Sequence, residues 1–231
     1  MNSYISYITD PIDGKNDGGK GKNLKFLASN NIDVPNGIII SAEFYKNYYK
    51  NPPQFNFNDD SILEQQSNNF YKEVLKKNLP EEFIHEIQSK ILKLGEDNNY
   101  AVRSSSTFED LEGAAFAGQH DTFLNINIDK IEKNIRKCFA SLWKKNAILY
   151  RRNAGFEQKE ASMAVVIQKM IYADSAGVAF SVNPVSGRME HVLIEGNWGI
   201  GESVVEGESL TDNWIVDVNK NSIIEKNIAK K

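Results

Sequence analysis

The chain has 231 residues, of which 41% are hydrophobic and 25% charged, with a net charge of -4. That length suits one large domain or two lobes sharing a core, and the balance is that of an ordinary globular protein. Basic residues are spread along the chain, which argues against a nucleic-acid partner, and the single cysteine, Cys138, excludes an internal disulfide or a cysteine metal cluster.

No segment reaches the ~20 apolar residues of a membrane span, and the N-terminus, with early acidic and polar residues, does not resemble a signal peptide. The expected compartment is the cytoplasm. Tyr4 to Thr9 reads as a short strand and Asp10 to Gly19 as a polar, Gly-containing loop. After Lys20, residues Leu24, Leu27 and Ala28 recur at helical spacing as far as Asn30-Asn31. A glycine pair, a lysine and a helix start favour an anionic ligand, because helix N-termini present free N–H groups and positive partial charge. Gly14 to Gly21 reads G-x-x-x-x-G-K, yet a P-loop needs Ser or Thr after the lysine and Gly21 stands there, so a P-loop is rejected. On these residues alone, a solvated Lys20 is the simpler reading.

Val34-Pro35 closes this helix and Gly37 to Ile40 is an apolar strand. Ser41 is placed to cap a helix through Phe44, Tyr45 and Tyr48, whose aromatic stripe reads as core. Two amphipathic helices follow, about Ser61 to Lys77 and Pro80 to Leu94, with Gly95 as a stop. Tyr100 to Val102 then opens a strand that delivers Arg103 and the hydroxyls of Ser104, Ser105 and Ser106. An acidic patch (Glu109, Asp110, Glu112), the small residues Gly113-Ala114-Ala115 and Ala117-Gly118, and a strand at Asp121 to Ile126 complete this stretch. Small residues let backbone approach a ligand, and the planar fork of an arginine matches phosphate oxygens. The alternative is a surface hairpin in which Arg103 pairs with Glu109 or Asp110.

Asp129 is expected to cap one long helix with Ile131, Ile135, Phe139, Leu142 and Leu149 on one face, ending near Gly155. Met163 to Ile171 is a nearly continuous apolar run interrupted by Gln168-Lys169. Such a strand end could line a base pocket, or Gln168 could simply cap a strand edge. Ala176 to Val182 is a strand, followed by the turn Asn183 to Gly187 and a strand at Glu190 to Glu195. The Gly-rich, acidic segment Glu195 to Gly207 and strands near Trp214 to Val218 and Ser222 to Ile228 end the chain, with no clear domain boundary.

The run AVRSSSTFEDLEGAAFAGQHDTFLNI resembles the signature of the ATP-binding domain of the phosphoenolpyruvate synthase (pyruvate, water dikinase) family, which includes pyruvate phosphate dikinase and rifampicin phosphotransferase. Gly18 to Leu24, and Val165 to Gly187 followed by Glu195 to Glu202, fit the same family in the same order. The resemblance implies an α+β, ATP-grasp-like fold of two lobes with mixed or antiparallel sheets and flanking helices. It makes residues 1–231 a single nucleotide-binding unit, C-terminally incomplete relative to the family and without a separate phosphohistidine or substrate domain. ATP would lie between the lobes, with Lys20 and Arg103 on its phosphates as the catalytic cations and Gly118-Gln119 covering them. The base would rest against Gln168, Lys169 and Met170, and Glu202 would lie in the family's G-x-G-E loop. Ser181 and Asn183 match the polar residues before the family's proline. Asn16-Asp17 departs from the apolar residues usual before the glycines.

The resemblance further implies magnesium, but the family's acidic metal ligands have no counterpart here and the metal ligands stay unassigned; Glu195 and Glu202 are the available substitutes. The expected activity is that of an ATP-dependent phosphotransferase, incomplete for turnover by itself. The phosphoryl group would pass to a histidine on a swivelling domain or separate chain, then to pyruvate or a related acceptor. His85, His120 and His191 are not assigned that carrier role. The alternatives are an antibiotic acceptor, or a non-catalytic nucleotide-binding module that works with a partner.

Overall fold

Strands β1 (Ile5–Tyr7), β2 (Gly37–Ile40), β3 (Tyr100–Ser106), β4 (Thr122–Ile126) and β5 (Met163–Lys169) make an antiparallel sheet in the order β1-β2-β5-β3-β4. This computed structural model describes residues 4–49, 52–95, 99–108, 121–206 and 210–229. The chain divides into two compact units, Met1–Met170 and Ile171–Lys231. The fold is α+β and ATP-grasp-like, with antiparallel sheets throughout.

In the first unit, period-2 alternation sorts the strand residues onto two faces. Ile38, Ile40, Val102, Val165 and Ile167 face the larger core. That side is covered by helices α2 (Ala42–Tyr48), α3 (Asp60–Lys76), α4 (Glu81–Leu92), α5 (Ile131–Ser141) and α6 (Lys145–Asn153). Ile39, Ala164 and Val166 face the other way, where they meet Ile8, Ala42 and the residues Leu24 and Ala28 of helix α1 (Gly18–Ser29). Because β5 is buried on both faces, its residues from Met163 to Ile167 are all apolar, and polar residues appear only at Gln168 and Lys169. The Ser41 cap falls where the sequence places it, and Asp59 caps α3 without having been singled out. The Ser41 hydroxyl accepts the Glu43 N–H at 3.0 Å, and Asp59 accepts the N–H groups of Ser61 and Ile62 at the start of α3.

Two local expectations are corrected. The expected long helix is interrupted after Ser141: Lys144 is extended (φ -62°, ψ 138°), so α5 and α6 are separate. The break lets Trp143 turn into the core, where its ring meets Phe55 and Phe70 and its Nε1 donates to the Tyr45 hydroxyl at 2.6 Å. Carbonyls freed by the break find partners: Leu142 O accepts from buried Arg151 at 2.6 Å and Trp143 O from Ser67 at 2.6 Å. Asp129 lies within a 3-10 turn, Ile128–Lys130, that makes no side-chain cap bond. The second correction concerns α1, which begins at Gly18. The glycine pair expected in a loop is therefore its first turn.

The second unit is an antiparallel meander of β6 (Ser175–Phe180), β7 (His191–Trp198), β8 (Asp212–Asp217) and β9 (Ser222–Asn227), with helix α7 (Glu202–Glu206) between β7 and β8. The Asn183 side chain accepts the N–H groups of Val185 and Ser186, which builds the predicted turn at Pro184. No helix among the described residues is long and apolar enough to cross a membrane.

Candidate functional site

The α1 side of the five-stranded sheet collects the chemistry-bearing residues of the first unit. On β3, Ala101, Arg103 and Ser105 project to this side, and their cross-strand partners on β5 are Gln168, Val166 and Ala164. The N-terminus of α1 sits on Ser105. The Ser105 hydroxyl donates to Asp17 O at 3.0 Å and accepts the Gly21 N–H at 3.0 Å. Gly18 is left-handed (φ +65°), and a Cβ there would stand 2.2 Å from Ser105 O, so only glycine permits this approach.

Asp17 anchors the same turn from beneath. One carboxylate oxygen accepts the Asp13 N–H at 2.7 Å, and the other pairs with the Lys25 ammonium at 2.7 Å. Lys25 also donates to Pro11 O at 3.0 Å, and both side chains of the pair are buried. The expected departure at Asn16-Asp17 thus has a structural reason: an ion pair occupies the place of apolar packing. This pair was not recognised from sequence. Its signal is the spacing Gly18, Gly21, Lys25, Ala28, which sets a lysine on the sheet-facing stripe of α1.

Lys20 lies between Gly18 and Gly21 in this clamped turn and is half-buried. Arg103 is half-buried and donates from Nη1 to Gln168 Oε1 at 3.3 Å. Gln168 is buried, and its amide donates to Pro35 O at 3.2 Å, which fixes the oxygen toward Arg103. Lys20, Arg103 and Gln168 therefore share one side of one sheet.

The other sequence-derived residues fall elsewhere. Lys169 alternates to the opposite side from Gln168. The N–H groups of Lys169 and Met170, in the segment against which the base is expected to rest, donate to Asn36 O and Asn99 O, each at 2.8 Å. Glu202 is exposed at the start of α7 and Glu195 is half-buried on β7, both in the second unit. Gly118 and Gln119 lie outside the described residues, as do His120, Glu109 and Asp110. Among the described residues no group of three or more His, Cys, Asp or Glu side chains could hold a metal ion. Those side chains do not by themselves form a magnesium site.

Cys138 is fully buried, and desolvation, with a smaller contribution from the Asp121 carboxylate, pushes its thiol well above the usual range. It is a core group and not a nucleophile. A thiol reagent such as DTNB should label the native chain only at the rate of unfolding, with labelling rising across the urea transition. Prompt stoichiometric labelling in buffer would contradict this placement.

Chemically, the arrangement offers two cations on rigid elements, one of them oriented by a buried amide, at a helix start whose partial charge is positive. That suits the binding and alignment of a polyphosphate. Comparison with known proteins points the same way. The family described as pyruvate phosphate dikinase, AMP/ATP-binding domain, matches residues 15–231. A probable phosphoenolpyruvate synthase of Methanocaldococcus jannaschii is 36% identical over 93% of this chain and 19% of its own length. One from Methanothermobacter thermautotrophicus is 34% identical over 100% of the chain and 36% of its own length. A rifampicin phosphotransferase of Bacillus cereus is 34% identical over 93% of the chain and 26% of its own length. The chain thus spans a minor part of each of these relatives.

Proposed function

Because the chain belongs to the family of pyruvate phosphate dikinase AMP/ATP-binding domains, we propose that it is the ATP-binding part of a phosphoenolpyruvate synthase-like phosphotransferase. Lys20 and Arg103 bind the ATP phosphates and neutralise charge as the terminal phosphoryl group leaves, the role that positioned cations play in phosphoryl transfer. Gln168, Lys169 and Met170 border the base, Gly118 and Gln119 cover the phosphates, and Glu202 contributes from the G-x-G-E segment. The phosphoryl group passes to a histidine carrier on another domain or chain, and from there to pyruvate or a related acceptor. Magnesium accompanies the nucleotide, with its protein ligands unassigned, and the reaction is cytoplasmic. The observation that carries this reading is the common sheet side shared by the Lys20 turn and Arg103, in a chain of this family.

Lys20→Ala and Arg103→Ala should each weaken ATP binding by about 1–3 kcal/mol, the scale of one charge-assisted hydrogen bond. Isothermal titration with ATP is the measurement, and wild-type affinity in both variants would remove these residues from the site. A second reading of the acceptor has its own support. The Bacillus cereus rifampicin phosphotransferase is as similar, at 34% identity, as the Methanothermobacter thermautotrophicus synthase. The acceptor is then an antibiotic instead of pyruvate. Labelled ATP incubated with the full-length protein and either acceptor separates the two.

A further inference from the structure

Of the three hydroxyls that β3 delivers, Ser104 donates to Asp121 O at 2.8 Å and Ser106 accepts the Phe108 N–H at 3.3 Å, both local uses of the β3 region. Ser105 differs. Its hydroxyl reaches more than 80 residues back along the chain and holds both ends of one turn: the Asp17 carbonyl before Lys20 and the Gly21 N–H after it. Ser105 is itself completely buried and lies two residues from Arg103 on the same side of the strand. A hydroxyl has one proton to donate and lone pairs to accept, so both bonds are made at once by a single oxygen. With Gly18 seated against the Ser105 carbonyl, the turn has little freedom to slide along β3.

We propose that Ser105 is a positioning residue that sets the separation between Lys20 and Arg103, matching two cations to neighbouring phosphates of one nucleotide. The proposal rests on the nucleotide reading above. Without the Ser105 hydroxyl, the first turn of α1 loses its hydrogen bonds to that side chain at both Asp17 O and Gly21 N–H, and Lys20 is held less firmly relative to Arg103. The penalty falls on ligands that engage both cations. A nucleoside without phosphates does not sense it.

Isothermal titration of the intact chain with ATP and with adenosine provides the test. Ser105→Ala should weaken ATP binding about tenfold and change adenosine binding less than about twofold, as expected for a buried hydrogen bond that acts only through phosphate contacts. In a Lys20→Ala background, Ser105→Ala should have no further effect on ATP binding, because the group it positions is gone. Ser67→Ala removes a buried bond of similar kind, to Trp143 O at 2.6 Å, on the opposite side of the sheet. It should lower stability without changing the ratio of ATP to adenosine affinity. If Ser105→Ala does not fold, Ser105→Cys, close in volume and a weaker bonding partner, gives the same comparison. Unchanged ATP affinity in the Ser105 variants, while Lys20→Ala loses it, would overturn the positioning role alone. A wild-type chain that binds no ATP would overturn the nucleotide reading and this proposal with it.

Discussion

Replacing Lys25 by methionine should destabilise the protein by about 3–5 kcal/mol, because it leaves the Asp17 carboxylate buried without its counter-charge. Methionine nearly preserves the volume, so the loss reports charge and not a cavity. The structural basis is the 2.7 Å contact between two side chains that are 1% and 4% exposed. Exposed ion pairs such as Lys145–Asp60 are a different case, typically contributing no more than ~1 kcal/mol. Asp17→Ala should be comparably costly, since it strands the ammonium and also the Asp13 N–H. The double variant should recover part of the loss, because no lone charge remains. Urea unfolding with an unchanged m-value gives the three numbers. A Lys25→Met variant within ~1 kcal/mol of wild type would show that the pair is not buried as described. The Lys20 turn follows Asp17 directly, so Lys25→Met should also weaken ATP binding in the fraction that remains folded.

The second large effect is expected at Gly18. Alanine there must take a left-handed conformation, which costs roughly 1–2 kcal/mol, and its methyl must displace strand backbone, which adds ~1–3 kcal/mol. Together these predict a loss of about 2–5 kcal/mol. Gly14 is an internal control: it is also left-handed (φ +44°), but a Cβ there meets nothing within 4 Å. Gly14→Ala should cost only the conformational share, ~1–2 kcal/mol. The difference between the two alanine variants measures the close approach of α1 to Ser105. Equal melting temperatures would mean that the approach is not as tight as the 2.2 Å position requires.

Much of this architecture is legible in the residues because local chemistry and the global fold agree. The apolar strand at Gly37–Ile40, the Ser41 cap and the run beginning at Met163 are found where alternation and capping put them. The interruption between α5 and α6 was not legible. Helical spacing persists through Leu142, and the break is decided by the burial of Trp143 against residues distant in the chain, Tyr45 and Phe70. Nor does any linker composition mark the passage from Met170 to Ile171, where apolar residues continue across the division between the units. At the candidate site, Arg103 stands out by its small-residue context, whereas Lys20 and Gln168 are singled out by the family resemblance and not by residue type. Their supports do not stand out. Ser105, Lys25 and Gly18 act through contacts with partners that sequence spacing cannot name, and a serine in a strand or a lysine in a helix gives no sign by itself of being fully enclosed.

The strand at the middle of the first sheet is the last of its five to be synthesised. β2 and β3 have no bonded edge in common until β5 arrives between them, more than 120 residues after β2. Assembly is therefore dominated by distant closures, which places folding toward the slow end of the range, on the order of milliseconds to seconds. A nascent chain halted before Met163 would expose the bare flanks of two apolar strands, which invites self-association. Pulse-labelling of ribosome-bound chains should show amide protection at Ile38 and Ile40, which face β5, only after Lys169 has left the exit tunnel, whereas Ile39 pairs with β1.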